Sequence, residues 1–151
     1  MDIKDFLLPT DALIKVRVPD KTRLLQELAA RAAAALNLAP DRISSELLKR
    51  EHLGSTGTGG GVAIPHARIP DLKKPFGTLV RLKNAIDFDA IDGKPVDIVF
   101  LLLLPTQSQG DHLNALASVA RKLRDPESVQ RLRRADDAAE LYGAMLLAAP
   151  K

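Results

Sequence analysis

The hydrophobic positions near the N-terminus follow first a strand period and then a helix period. Apolar residues alternate with lysine and arginine over residues 13–18, which is typical of a half-buried strand. The next apolar residues recur every three to four positions and predict a helix over residues 21–36, with Asp20 as its N-cap and Asn37 as its C-terminal stop. A second helix is expected over residues 41–51.

Further strands and helices are predicted in the rest of the chain. Strands are expected at residues 62–66, 76–82 and 96–104, and the last of these is apolar almost throughout, as in strands buried on both faces. Helices are expected at 111–123, at 126–134 behind an Asp125 cap, and from an Asp137 cap to about 147. This order predicts an α/β fold, a three-layer α/β/α sandwich with a mixed central sheet of about four to five strands.

Composition favours one soluble globular domain over residues 1–151. The chain is 46% hydrophobic and 27% charged and contains no cysteine, which excludes disulfides and thiolate metal sites. Its N-terminus lacks the apolar run of a signal peptide, and its longest apolar stretch, residues 98–104, is far shorter than the roughly 20 residues of a membrane span. We therefore expect a cytoplasmic protein without cofactor or metal.

The arginines of residues 121–134 raise the alternative of nucleic-acid binding. Net charge is only +3, and aromatic residues, which stack on single-stranded bases, make up 3% of the chain. We interpret the arginines as solvated faces of amphipathic helices. RNA binding stays the weaker alternative, and we expect no nucleic-acid partner and no insertion into a membrane.

Residues 54–61, Gly-Ser-Thr-Gly-Thr-Gly-Gly-Gly, form what we call the glycine segment. It contains five of the nine glycines, and ordered glycine costs much backbone entropy, so we expect it outside helix and strand interiors. It is either a flexible linker or a backbone that approaches something closely. Its position inside the predicted domain favours close approach, because a linker would more often separate two complete cores.

His66 is the first candidate for chemistry. It follows Pro65 and lies just after the glycine segment, whose amides could bind an anion. Neutral imidazole is a good phosphoryl acceptor near pH 7. From this local context alone, a phosphoryl acceptor and a structural histidine stay equally open.

Other residues could act with His66. His112 opens the helix after the long buried strand, and it would share a sheet edge with His66 if the strand ending at His66 runs parallel to that strand. Arg50 could hold two phosphoryl oxygens, and Ser55 and Thr56 could donate hydroxyl hydrogen bonds; structural readings of all four stay open. His52 reads as a solvated helix-end residue. The P-loop pattern fails, because Gly60 and Gly61 replace its lysine and hydroxyl residue.

Residues 49–66 resemble a known signature. The segment Lys-Arg-Glu-His-Leu-Gly-Ser-Thr-Gly-Thr-Gly-Gly-Gly-Val-Ala-Ile-Pro-His is similar to the active site of the mannitol/fructose-type IIA domains of the bacterial phosphotransferase system. The stretch from His112 to Tyr142 looks like the nitrogen-regulatory branch of that family. The resemblance covers nearly the whole chain and implies a mixed sheet between helical layers.

The resemblance also implies site roles. His66 would be phosphorylated through Nε2, with His112 as the second active-site histidine and Arg50 neutralising the phosphoryl group. The expected phosphoryl-binding residues are Ser55, Thr56, Gly57 and Gly59. An apolar rim for the partner is expected from Leu53 and Ile69.

The resemblance implies partners as well. The donor would be an HPr-like phosphocarrier (NPr), itself charged by a phosphoenolpyruvate-dependent Enzyme I homologue. Targets would be regulatory proteins, such as potassium-transport components or sensor kinases, that respond to the phosphorylation state. The alternative is the IIA component of a fructose or mannitol uptake system.

Overall fold

The computed structural model describes residues 2–107 and 110–147. Two short 3₁₀ turns, Ile3–Asp5 and Pro9–Asp11, precede the first strand. The strands are β1 (Ala12–Val16), β2 (Gly57–Gly59), β3 (Val62–Ala63), β4 (His66–Ile69), β5 (Phe76–Ile86) and β6 (Val96–Pro105). The helices are α1 (Lys21–Leu36), α2 (Pro40–His52), α3 (Gly110–Arg124), α4 (Pro126–Arg134) and α5 (Ala138–Leu146).

The strands form one mixed sheet in the order β1-β5-β6-β3-β2, with β4 also paired to β6. Strands β3 and β4 lie one after the other along the same edge of β6 and run parallel to it, whereas β5 runs antiparallel on its other edge. The sheet therefore has six strand segments in five positions. The expected strand over 62–66 is two strands, because the ladder is interrupted at Ile64 and Pro65, where proline has no N–H to donate.

Helices cover both faces of the sheet, which confirms the three-layer α/β/α prediction. One buried cluster joins the sheet to α1 and α2, and the other joins it to α3, α4 and α5. Alternate residues of β6 enter the two clusters, Val99 on one side and Phe100 on the other, so the strand is buried on both faces as its apolar run predicted.

Local capping fixes the helix ends. Asp20 accepts a hydrogen bond from the amide of Arg23 at 2.8 Å, and Asn37 ends α1 in the left-handed region. Asp125 caps α4 and Asp137 caps α5 in the same way. The bounds of α1 and α4 confirm the predictions, because each end depends on residues within one turn.

The glycine segment corrects an expectation. Gly57–Gly59 forms β2, which pairs antiparallel with β3 through a turn at Gly60 and Gly61. Both turn glycines have positive φ, 68° and 81°, which other residues adopt only with strain. The segment is thus in part a tight hairpin. Within the described residues, the structure contains no helix with the length and apolar character needed to cross a membrane.

Candidate functional site

A shallow depression of about 350 Å³ lies where α2 and α3 approach β4. Arg50 and His66 both line it, together with the charged residues Glu46 and Arg68 and apolar side chains that include Leu104 and Leu113. His66 is the first residue of β4 and pairs with Leu102 of β6. The sheet therefore holds the backbone of His66 while its half-buried ring faces this depression.

The ring of His66 is held through one nitrogen. Its Nδ1 lies 2.8 Å from the carbonyl oxygen of Ile64. Because a carbonyl only accepts hydrogen bonds, Nδ1 must carry the hydrogen, and Nε2 of the neutral ring then has the free lone pair. Pro65 restricts the backbone between the two groups, and its carbonyl accepts a hydrogen bond from the amide of Leu102 at 2.9 Å.

The surroundings of His66 favour the neutral ring. Burial, the largest influence, lowers the pKa of His66 below its usual 6.5, and the positive charge of Arg50 also lowers it. The hydrogen bond to Ile64 and the negative charge of Glu51 raise the pKa but do not cancel the burial. At neutral pH the ring is therefore uncharged and nucleophilic at Nε2.

Arg50 lies in the last turn of α2 and borders the same depression. One of its terminal nitrogens donates a hydrogen bond to the carbonyl oxygen of Gly54 at 2.9 Å. That bond uses one of five guanidinium N–H donors and orients the group beside the start of the glycine segment. A fixed guanidinium next to a neutral imidazole suits a dianionic phosphoryl group.

The hydroxyl and glycine candidates have protein partners in the structure. The hydroxyl of Ser55 donates to the carbonyl oxygen of Phe88 at 2.8 Å and accepts from the amide of Gly57 at 3.0 Å. Thr56 is buried and hydrogen-bonds to Glu51 through both its amide and its hydroxyl.

The glycines at positions 57 and 59 lie in the hairpin. A Cβ on Gly57 would come within 2.8 Å of the Cβ of Ala90, and one on Gly59 would come within 3.3 Å of Asp92. The geometry therefore assigns these residues close packing, and phosphoryl binding by Ser55, Thr56, Gly57 and Gly59 stays a prediction.

The other two histidines differ in position. His52, the last residue of α2, is exposed, as expected for a solvated helix end. His112 lies in the first turn of α3 and is half-buried, and the next residue, Leu113, borders the depression. Strand β4 begins at His66 instead of ending there, although β4 and β6 are parallel as assumed. A catalytic role for His112 stays a prediction.

The apolar rim differs in part from the expectation. Leu53 is 85% exposed, as a partner-binding residue should be, but Ile69 is 1% exposed and belongs to the core. Ile69 faces inward because it shares a sheet face with buried Ala67, two positions before it. Leu113, which is 55% exposed beside His66, is the apolar residue that sequence reasoning missed.

Sequence reasoning also missed Glu51, the buried partner of Thr56. Its side chain is only 6% exposed and forms an ion pair with Lys21. The position of Glu51 next to Arg50 was the signal that could have identified it. Its partners, Lys21 of α1 and Thr56 of the glycine segment, are not evident from the sequence. No group of three or more potential metal ligands occurs among the described residues.

Comparisons with known proteins identify a family and similar relatives. The pattern of the family described as "Phosphoenolpyruvate-dependent sugar phosphotransferase system, EIIA 2" matches residues 6–146. A nitrogen regulatory protein of Bradyrhizobium diazoefficiens is 46% identical over 147 residues, covering 97% of this chain and 96% of that protein. The Escherichia coli nitrogen regulatory protein is 41% identical over 85% of this chain and 79% of its own length.

Solved structures show the same fold. The crystal structure of nitrogen regulatory protein IIA-Ntr from Neisseria meningitidis matches with a TM-score of 0.90 at 34% identity, covering 95% of this chain and 98% of that one. The mannitol IIA structure from Escherichia coli matches over 91% and 98% of the two chains with a TM-score of 0.75 at 16% identity, which supports the fold alone.

Proposed function

The chain belongs to the EIIA 2 family of the phosphoenolpyruvate-dependent sugar phosphotransferase system, in its nitrogen-regulatory branch, and on that premise we propose that it accepts a phosphoryl group on Nε2 of His66. The observation that supports this most is the hydrogen bond from Nδ1 to the carbonyl oxygen of Ile64. It leaves Nε2 as the acceptor nitrogen.

Phosphoryl transfer to His66 breaks one N–P bond and forms another. The N–P bond of the donor phosphohistidine breaks and its electron pair stays on the donor nitrogen, while the lone pair of Nε2 forms the new P–N bond. The hydrogen on Nδ1 of His66 stays at the Ile64 carbonyl, so the phosphorylated ring carries a positive charge, and the donor ring, protonated on its other nitrogen, leaves as neutral imidazole. The chain's task is to position the ring and to stabilise charge on the transferring oxygens, the usual division of labour in phosphoryl transfer.

Arg50 supplies the main positive charge in this proposal, because it borders the depression with His66 and is oriented by Gly54. His112 adds a further hydrogen bond from the first turn of α3. Ser55, Thr56, Gly57 and Gly59 contribute by shaping the segment beside the acceptor.

An HPr-like phosphocarrier, NPr, is the proposed donor, and the exchange takes place in the cytoplasm. The exposed side chains of Leu53 and Leu113 are suited to the apolar part of such a docking surface. The output is regulatory: a dianion on His66 changes the charge of this surface and so changes which target proteins bind it.

The proposal is tested by phosphoenolpyruvate-driven labelling with purified Enzyme I homologue and NPr. We expect one acid-labile, base-stable phosphate on the wild-type chain, none on His66→Ala, and wild-type labelling on His52→Ala, since His52 lies exposed at the end of α2. Circular dichroism confirms that each variant is folded. Equal labelling of the wild type and His66→Ala would refute the assignment of the acceptor.

A further inference from the structure

Glu51 is a buried acid beside the acceptor site. Its side chain is 6% exposed, and its Oε2 lies 2.8 Å from Nζ of Lys21, the first residue of α1. Lys21 in turn donates to the carbonyl oxygen of Phe88 at 3.2 Å and lies 4.5 Å from the centre of that residue's ring. Burying a carboxylate is costly unless a partner compensates its charge, and Lys21 is that partner for Glu51.

The carboxylate of Glu51 holds the glycine segment at one residue. Its Oε2 accepts a hydrogen bond from the amide of Thr56 at 3.2 Å, and its Oε1 hydrogen-bonds to the hydroxyl of the same residue. Hydrogen bonds to a charged acceptor are stronger than those between neutral groups. The two bonds to Glu51 therefore fix both the backbone and the side chain of Thr56. Thr56 is also only 4% exposed, so the surrounding residues restrict its movement further.

Thr56 is linked to His66 by two further bonds. The carbonyl oxygen of Thr56 accepts from the amide of Ile64 at 3.0 Å. The carbonyl oxygen of Ile64 then accepts from Nδ1 of His66 at 2.8 Å. The two bonds lie on the peptide units on either side of the Cα of Ile64, so Thr56 holds the backbone of Ile64 on one side and the tautomer of His66 depends on the carbonyl on the other.

We propose that Glu51 is a positioning residue for phosphoryl acceptance, which acts through Thr56 and the Ile64 peptide to keep the hydrogen of His66 on Nδ1 and the lone pair on Nε2. The inference rests on the proposed function for its kinetic consequence. The state of the free ring, by contrast, is a property of the unphosphorylated chain and can be measured without any donor.

The direct test is the ring tautomer of His66, measured by ¹⁵N–¹H correlation spectra at a pH where the ring is neutral. In the wild type we expect Nδ1 protonated. In Glu51→Gln, which has one carbonyl oxygen for three donors, we expect a mixture of the two tautomers. The matched control is Glu27→Gln, because Glu27 pairs only with Arg23 on the exposed side of α1 among the described contacts. A wild-type tautomer in Glu51→Gln overturns the inference.

The kinetic test uses the labelling reaction. Residues that orient a metal-bound histidine through its other nitrogen typically contribute about 10–100-fold to metal affinity or activity, and we take the same scale for an acceptor histidine. We expect Glu51→Gln to lower the labelling rate at saturating NPr by that factor while the NPr concentration for half-maximal rate stays unchanged. A variant that is merely destabilised would lose active fraction but keep the wild-type tautomer in its folded population, and that result also counts against the inference.

A second pair of variants keeps the inference testable if Glu51→Gln does not fold. Thr56→Val removes the hydroxyl bond to Glu51 with little change in shape, and Thr56→Ser keeps it. We expect mixed tautomers and slower labelling in Thr56→Val, with recovery in Thr56→Ser; identical tautomers in both overturn the inference. If the wild type accepts no phosphoryl group, the proposed function fails, whereas the tautomer spectra still decide the role of Glu51.

Discussion

The two halves of the glycine segment are held by different parts of the molecule. Residues 54–56 are tied to the end of α2, through Arg50 at the Gly54 carbonyl and Glu51 at Thr56. Residues 57–61 form the hairpin, which is tied to the β5–β6 loop and to α4. There Asp92 accepts from the amide of Gly60 at 2.9 Å, and Arg133 donates to the carbonyl oxygen of Gly60 at 2.8 Å.

The halves also differ in packing. A Cβ on Gly54 would meet open space, whereas a Cβ on Gly57 would meet Ala90 and one on Gly61 would meet the guanidinium of Arg133. The first half thus has open space at Gly54, whereas the second half is closely packed at Gly57 and Gly61, although a Cβ on Gly60 would also meet nothing within 4 Å. In the proposed function, one run of glycines therefore contributes to two different properties, acceptance of the phosphoryl group and stability of the fold.

The largest expected effect is a loss of labelling that occurs in Arg50→Ala but not in Arg133→Ala. Arg50→Ala removes the guanidinium beside His66, and we expect labelling to fall about 10²–10³-fold, as for loss of one charge-stabilising donor in other active sites. Arg133→Ala removes the hydrogen bond from α4 to Gly60 of the hairpin and an ion pair with Asp97 of β6 at 2.8 Å. Because this pair is partly exposed, we expect a loss of about 1 kcal/mol in the free energy of unfolding and wild-type labelling.

Labelling rates and urea unfolding of both variants measure this contrast. Equal losses of labelling in the two variants would show that residues 54–56 and residues 57–61 of the glycine segment act as one unit.

Packing in the hairpin is tested by glycine substitutions. Gly57→Ala places a methyl group against both the Cα and Cβ of Ala90, at 2.9 Å and 2.8 Å, so we expect a loss of about 1–3 kcal/mol in the free energy of unfolding. Gly143→Ala, in α5, meets nothing within 4 Å and is expected to gain about 0.5–1 kcal/mol from helix propensity. Urea midpoints compare the two. A neutral Gly57→Ala would contradict the close approach.

The smallest expected effect is a shift in titration. Since burial and Arg50 lower the pKa of His66, we expect its ring to titrate below 6.5 by NMR, and labelling to persist below that pH. Arg50→Ala should move the titration upward, and Arg133→Ala should leave it unchanged. A wild-type ring that titrates above 6.5 would contradict a buried, neutral acceptor.

The lowered pKa of His66 also makes the stability of the folded chain depend on pH. Between 6.5 and the lowered pKa, the unfolded chain binds a proton on His66 that the folded chain does not, so folding weakens as the pH falls through this window. Above 6.5 both states are neutral and the effect vanishes. His66→Gln should lack this part of the pH dependence in thermal unfolding, and an unchanged dependence would argue that the ring is solvated.

The sequence by itself determined the features that depend on neighbouring residues. Helices α1 and α4 begin and end as predicted, because their caps lie within one turn, and β6 followed from a near-continuous apolar run. The residues of the signature were sufficient to select His66 and Arg50 as candidates, and both residues line one depression.

Only the tertiary structure decided what depends on distant partners. The inward side chain of Ile69 and the strand β2 within the glycine segment follow from pairing with β6 and β3. The burial of Glu51 requires Lys21, thirty positions earlier in the chain. Local periodicity reports which face of an element is apolar, but it does not report which remote group will lie opposite a charged side chain.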